Sequence, residues 1–271
     1  MATRNTLSPQ QEATVDAAAD HKRPCGRGQF ADKTIIVTGA AAGTGQATAL
    51  HIASQGGRVI AVDINEERLD YLVAQNPGLD LVPVPGDVAS IETVAVAVAA
   101  AGQVDGLANI AGAVDNFAPI HAIDDELWER VFQVNVTAPM HLTRAVLPMM
   151  FAAGRGSVVY IASEPGLIES SAGAAYTASK YAVLGLTRNS ALAFGGQGLR
   201  FNAVSPSPSL PDASLLRSHG ILKGLRTPRM LTPSLPPTAV QVAEHISFLL
   251  SDESCEINGA LIGTDGTWRK I

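Results

Sequence analysis

The sequence predicts an α/β fold: a doubly wound parallel sheet of seven strands with helices on both faces. Three observations carry that expectation. From Lys33 onward, short β-branched runs alternate with longer helical stretches. The strand runs are continuously apolar, the pattern of a parallel sheet covered on both faces. A glycine-rich turn, Gly39 to Gly45, stands where the first strand gives way to the first helix. Right-handed crossovers between successive parallel strands then favour the doubly wound arrangement.

Each element follows in order. Thr34 to Val37 is the first strand, and the turn leads into a helix through about Gln55. Arg58 to Val62 is the second strand and Glu66 to Ala74 its helix; Leu79 to Val84 and Ile91 to Ala101 repeat the unit. Val104 to Ile110 is the fourth strand, and one long helix is expected from about Asp125 to Ala152. Ser157 to Ala162 is the fifth strand, Tyr176 to Phe194 a helix, and Arg200 to Val204 the sixth strand. Thr238 to Leu250 is helical, and Ala260 to Gly263 closes the sheet.

A chain of 271 residues, 46% hydrophobic and 16% charged, buries a large core, and no break in composition marks a second domain. Residues 1–29 lack a signal-peptide apolar core and are expected as a poorly ordered extension to a single domain over 30–271. The net charge of −6 argues against nucleic acid or an anionic membrane surface as partner. The longest uncharged apolar run, Thr93 to Val104, is too short to cross a bilayer. Cys25 and Cys255 have no metal-ligand spacing and read as free thiols of a reducing compartment, the cytoplasm. The six histidines are scattered, so no metal is expected. Residues 207–237 break the rhythm: proline-rich, with Arg217, Lys223, Arg226 and Arg229 against a lone Asp212. Such an insert reads as a lid or substrate loop, or as a solvated surface excursion.

The turn Thr38-Gly-Ala-Ala-Ala-Gly-Thr-Gly45 has the makings of a dinucleotide cradle. Gly39, Gly43 and Gly45, with Ala42 and Thr44 between them, let the backbone approach a pyrophosphate. The helix that follows offers free N–H groups and positive dipole. No Gly-Lys-Ser/Thr follows, which excludes a P-loop. Asp63, beside Ile64, ends the second strand; a carboxylate there accepts from an adenosine ribose and repels a 2′-phosphate. The turn carries no Arg or Lys, so NAD is expected in preference to NADP. Asp63 also reads as a helix N-cap before Asn65, which is compatible with the ribose role. Asp87 and Val88 follow the third strand, placed for the adenine, and Asn109-Ile-Ala111-Gly112 follows the fourth, leaving room for a ribose.

Tyr176 and Lys180 stand four residues apart in Tyr-Thr-Ala-Ser-Lys, with Ser163 thirteen residues upstream of the tyrosine. On a helix, i and i+4 share a face, which sets the ammonium beneath the phenol. A free phenol titrates near pH 10, and bringing it to neutrality takes about 4 kcal/mol. One cation about 4 Å away supplies roughly that at an effective dielectric of 20. The competing reading is an amphipathic helix with a half-buried Tyr and a solvated Lys.

Together these residues resemble the short-chain dehydrogenase/reductase family, in its short single-domain branch, over about residues 30–267. The matching positions are the glycine turn, Asp63, Asp87-Val88, Asn109-x-Ala111-Gly112, Asn135, Ser163, Tyr176, Lys180 and Asn202-Ala-Val-Ser-Pro206. The resemblance implies a Rossmann-like fold and hydride transfer between NAD(H) and an alcohol or ketone. It implies Tyr176 as general acid/base, Ser163 as the hydrogen-bond partner of the substrate oxygen, and Lys180 as holder of the ribose and modifier of the phenol. Asn135 is implied to kink its helix around a water linked to Lys180. It also implies a homo-oligomer, a tetramer or dimer pairing the helices of Asn135 and Tyr176. Pro206, Ser207 and Ser209 are implied as nicotinamide contacts. Here the sequence departs: Pro206-Ser-Pro-Ser209 replaces Pro-Gly followed by Val or Ile. Pro208 lacks an N–H and Ser207 adds a Cβ, so a nicotinamide weakly ordered until substrate closes the lid is expected. Thr44 replaces an isoleucine, a benign β-branched exchange, and Asp265-Gly-Thr267 replaces Asp-Gly-Gly.

Phe117, Glu164, Leu167 and Ile168, with Leu210, Leu215, Leu216, Ile221 and Leu222, are candidates for the substrate wall or simple lid core. They suit a mid-sized, mostly apolar secondary alcohol or ketone. Two alternatives stand: an NADPH-dependent 3-oxoacyl-carrier-protein reductase, and a catalytically weak cofactor-binding regulator of the same fold.

Overall fold

The computed structural model describes residues 28–162, 173–206 and 238–264. The expected extension up to residue 27, Ser163, the 207–237 segment with Ser207 and Ser209, and Asp265 to Thr267 lie outside the described residues. So do Glu164, Leu167 and Ile168.

Seven strands form one sheet: β1 (Thr34–Thr38), β2 (Arg58–Asp63), β3 (Leu81–Pro85), β4 (Gly106–Asn109), β5 (Gly156–Ile161), β6 (Leu199–Pro206) and β7 (Leu261–Thr264). Their spatial order is β3-β2-β1-β4-β5-β6-β7, every pairing parallel. The helices are α1 (Gly43–Ser54), α2 (Glu66–Gln75), α3 (Ile91–Ala101), α4 (Asp125–Phe132), α5 (Ala138–Ala153), α6 (Ala174–Phe194) and α7 (Ala239–Leu250). This is the Rossmann-like arrangement anticipated above.

Strand alternation divides the core in two. Ile35 and Val37 of β1 face a layer with Val59, Ala108 and Val159, roofed by α1, α2 and α7 through Ile52, Leu69 and Ile246. Ile36 faces the other way, with Ile60, Leu107 and Val158, onto Val94 of α3, Leu142 of α5 and Val183 of α6. Each such side chain, fully withdrawn from water, contributes about 1.5–3 kcal/mol before entropy is counted. None of the helices among the described residues is long and apolar enough to cross a membrane.

Three departures from expectation bear on the site or the sheet edge. β4 runs only from Gly106 to Asn109, because the chain leaves the sheet there to form the rim of the site. β3 tolerates Pro83 and Pro85 because it is an edge strand paired only with β2; with period 2 their missing N–H groups share one side. The long helix is not continuous. A π-helical turn, Gln133–Thr137, separates α4 from α5, with Asn135 at its centre. Such widened turns concentrate at functional sites.

Candidate functional site

β1 and β4 are neighbours in the sheet although β2 and β3 lie to one side and β5 to β7 to the other. Their carboxyl ends therefore open a crevice where the strand order reverses. Two adjoining clefts occupy it. One, about 320 Å³, is lined by Gly39, Ala42, Thr44, Gly45, Ile110, Ala111, Gly112, Ile161 and Pro206. The other, about 230 Å³, is bounded by Asp63, Ile64, Asp87, Val88 and Arg130, and shares Gly39, Ala111 and Gly112 with the first. They form two halves of one elongated groove.

The glycine turn makes its floor. Gly39 has φ +70°, and a Cβ there would crowd the Ala111 backbone at 3.1 Å. A Cβ on Gly45 would strike the Gly39 carbonyl, so only glycine lets α1 pack this close to the turn. The N-cap of α1, Ala42, contributes no side-chain hydrogen bond, and the first turn carries no acid. The helix dipole there is left for an anion. The residues present thus fit a dinucleotide's pyrophosphate.

Asp63 is held rigidly. Its carboxylate accepts from the Ala41 amide at 3.0 Å and the Asn65 amide at 2.9 Å. The cap of α2 is Asn65, whose side chain accepts from Arg68 N, and not Asp63. Asp87 accepts from Ala89 N at 2.9 Å and from Arg130 Nη1 at 2.7 Å. Partial burial pulls its pKa up, but the Ala89 amide and the Arg130 guanidinium outweigh that and hold it below the ordinary value. Val88 is buried beside it. Asn109 does not line either cleft: it is buried at the end of β4, and neither polar atom of its amide has a hydrogen-bond partner. Its neighbours Ala111 and Gly112 line both clefts.

Tyr176 and Lys180 come together on α6. The Lys180 ammonium sits 5.4 Å from the centroid of the Tyr176 ring and donates to Ile161 O at 2.8 Å. The lysine is buried and the tyrosine half-buried, so the solvated-lysine alternative is overturned. Burial pushes the ammonium down to about 8. Asn135 joins the pair through three hydrogen bonds. It accepts from Ala113 N at 2.7 Å and donates to Ala113 O and Ser179 Oγ, each at 2.9 Å. Ser179 Oγ in turn donates to Tyr176 O at 2.7 Å. The π-helical turn thus ties the β4 rim to the helix carrying Tyr176. Ser163, Ser207 and Ser209 lie outside the described residues, whereas Pro206 lines the groove at the end of β6.

Sequence reasoning missed Arg130, Ser179 and Gly86, the last lining the cleft with φ +155°. A glycine between a strand and an aspartate was a readable signal for Gly86. Nothing in the sequence signalled that Arg130 would reach an aspartate 43 residues away.

The profile of the short chain dehydrogenase family matches residues 33–214. The chain belongs to the short-chain dehydrogenase/reductase family. This oxidoreductase is 35% identical over 259 residues to the short-chain dehydrogenase/reductase cdmF of Talaromyces verruculosus, covering 90% of this chain and all of that one. It is also 35% identical over 250 residues to 3beta-hydroxysteroid dehydrogenase 2 of Eggerthella lenta, covering 88% of this chain and 95% of the relative. Among solved structures, it is similar to a Beutenbergia cavernae protein assigned as an NAD(P)-dependent gluconate 5-dehydrogenase, with NADP bound at low occupancy. There the TM-score is 0.76 and identity 31%, over 90% of this short-chain dehydrogenase/reductase and 99% of its neighbour.

Proposed function

We propose that the protein transfers a hydride between NAD(H) and a secondary alcohol or ketone, with Tyr176 as general acid/base. The observation that carries this reading is the buried Lys180 ammonium against the Tyr176 ring, hydrogen-bonded to Ile161 O of the groove that the glycine turn floors. A cation within about 4–6 Å lowers a neighbouring acid's pKa by about 1–3 units, and the ammonium, 5.4 Å from the ring centroid, acts on the phenol in that sense. The phenol then takes the proton of an alcohol, or returns it to a ketone, near neutral pH. Ser163, from the family resemblance, hydrogen-bonds the substrate oxygen, and Asn135 holds the Tyr176 helix against the β4 rim. The nicotinamide supplies the hydride acceptor or donor when bound.

Asp63 supports NAD over NADP. Its carboxylate is fixed at the adenosine end by two backbone amides, so a 2′-phosphate would meet a charge that cannot swing away. The 3β-hydroxysteroid and gluconate 5-position in the names of the relative and neighbour are both secondary alcohol carbons, which supports that substrate class. Exposed Trp128, Phe151, Tyr181 and Leu192 on α4, α5 and α6 support pairing of copies through these helices. The test is absorbance at 340 nm across secondary alcohols, ketones and acetoacetyl thioesters, with NAD(H) and NADP(H) side by side, on wild type and Tyr176→Phe. Turnover favouring NAD and abolished in the variant is expected; full activity in Tyr176→Phe would overturn the proton-transfer assignment.

A further inference from the structure

Helix α6 begins without a cap of its own. Its N-cap is Gly173, which has no side chain, and its first turn contains no acid. Yet the amides of Gly173, Ala174 and Tyr176 are satisfied by a loop almost sixty residues earlier in the chain. Asp115, buried to 2% exposure, accepts from Gly173 N at 3.1 Å through Oδ1 and from Tyr176 N at 2.9 Å through Oδ2. Ala118 O accepts from Ala174 N at 2.9 Å. Gly173 is glycine for a matching reason: a Cβ there would run into the Asp115 carboxylate.

The loop that delivers Asp115 is strained. Asn116 and Phe117, immediately after it, hold φ +51° and +61°, two consecutive non-glycine residues in the left-handed region. The turn closes through Ala118 N to Asp115 O at 3.0 Å. Asparagine tolerates that conformation; phenylalanine does not do so readily. Strain of this kind persists where surrounding contacts fix it, and it gathers at working sites. Here the contacts that fix it are those with the first turn of α6.

We propose that Asp115 is a positioning residue for the Tyr176–Lys180 pair, acting as a cap supplied by a distant loop to the helix that carries both. The inference rests on Tyr176 being the acid/base. Tyr176 lies in the first helical turn, where helices fray. Asp115 holds its backbone amide from one end; Lys180, one turn on, is held by Ile161 O from the other. A buried carboxylate at a helix N-terminus is stabilised by both the free amides and the dipole. Without it, the first turn opens and the phenol leaves its place over the ammonium, while the groove floor at Gly39 and Gly45 is untouched.

The test compares Asp115→Ala and Asp115→Asn with wild type by steady-state kinetics, dinucleotide titration and amide hydrogen exchange. In Asp115→Ala, kcat falls at least tenfold, dinucleotide affinity stays within threefold, and exchange at the Tyr176 amide quickens at least tenfold. Asp115→Asn, which keeps one acceptor, falls between wild type and alanine in both kcat and exchange. Equal loss in the two variants with parallel loss of dinucleotide affinity would overturn the proposal, since it reports general unfolding. Faster exchange with unchanged kcat would also overturn it, yet leave the Tyr176 reading intact. Undiminished turnover in Tyr176→Phe sinks that reading instead, and the exchange data still report whether Asp115 caps the helix.

Discussion

Replacing Lys180 with methionine separates the two things its charge does. The ammonium lies 5.4 Å from the Tyr176 ring centre, and a cation within about 4–6 Å lowers a neighbouring acid's pKa by about 1–3 units. Removing it raises the phenol's pKa, so the rising limb of kcat/KM for alcohol oxidation moves about two pH units upward. At a fixed pH on that limb, the rate falls about a hundredfold. Stability responds in the opposite sense. Burial lowers the lysine from 10.5 to about 8, so between those values the unfolded chain holds a proton that the native chain does not. Wild-type stability therefore rises as pH climbs from about 8 towards 10.5, by on the order of 3 kcal/mol, and the methionine variant lacks that rise. The assays are a pH–rate profile with a secondary alcohol and urea unfolding of the unliganded protein at pH 7, 8, 9 and 10. A limb that stays put in the variant, or parallel stability curves for both proteins, would falsify the reasoning.

Other sites give sharper or milder outcomes. Gly45→Ala drives a methyl into the Gly39 carbonyl and should weaken dinucleotide binding at least a hundredfold, whereas Gly43→Ala, with open space but φ +53°, costs only about 1 kcal/mol by titration calorimetry. Equal affinities in the two variants would contradict a groove floored by close backbone contact. Asp63→Ala should shift the NAD/NADP ratio of kcat/KM at least tenfold towards NADP; an unchanged ratio removes Asp63 from cofactor choice. Arg130→Ala frees Asp87, but the arginine side chain is 48% exposed, so dinucleotide affinity should fall only a few-fold and less at high salt. A loss of a hundredfold would mean that Arg130 touches the ligand itself. Asn135→Asp keeps the acceptor for Ala113 N but loses donation to Ala113 O and Ser179 Oγ. Each lost buried partner costs about 1–3 kcal/mol, so urea midpoints should drop further than for a surface substitution; an unchanged midpoint argues against the bridge.

Much of the fold was legible because its strands are buried on both faces and read as plain apolar runs: Thr34 to Val37 and Arg58 to Val62 fall within one residue of β1 and β2. The glycine turn was legible too, since a strand, three glycines and a helix in sequence have few uses. The Tyr176–Lys180 meeting followed from helical spacing alone. What escaped depends on contacts distant in sequence. The π-helical turn at Asn135 has no local signature in Gln-Val-Asn-Val-Thr; it is fixed by bonds to Ala113 and Ser179. Asp115 carries no local signal, because its partners are backbone amides 58 and 61 residues on. The pairing of Asp87 with Arg130 likewise joins the end of β3 to α4, which neither segment announces.

The energetics of Lys180 explain why its helix needs such firm tethers. A fully buried ammonium with a backbone carbonyl as acceptor is costly, and its fall to about 8 measures that cost at on the order of 3 kcal/mol. In the proposed mechanism that same ammonium favours the neighbouring phenolate, so the two groups would be coupled. Loss of the lysine proton removes the reason for the tyrosine to be acidic. On the proposed role of Tyr176, the phenolate in turn favours the ammonium, so the competent pair would outlast the pH at which burial alone would discharge the lysine. Outside that geometry the same ammonium would relax into water and the coupling would disappear. Asp115 at one end of the first helical turn, Ile161 O at the other and Asn135 through Ser179 across it oppose that relaxation. On the proposed role of Tyr176, the fold thus holds a costly ammonium at Lys180 where it makes the phenol acidic enough to exchange a proton with substrate.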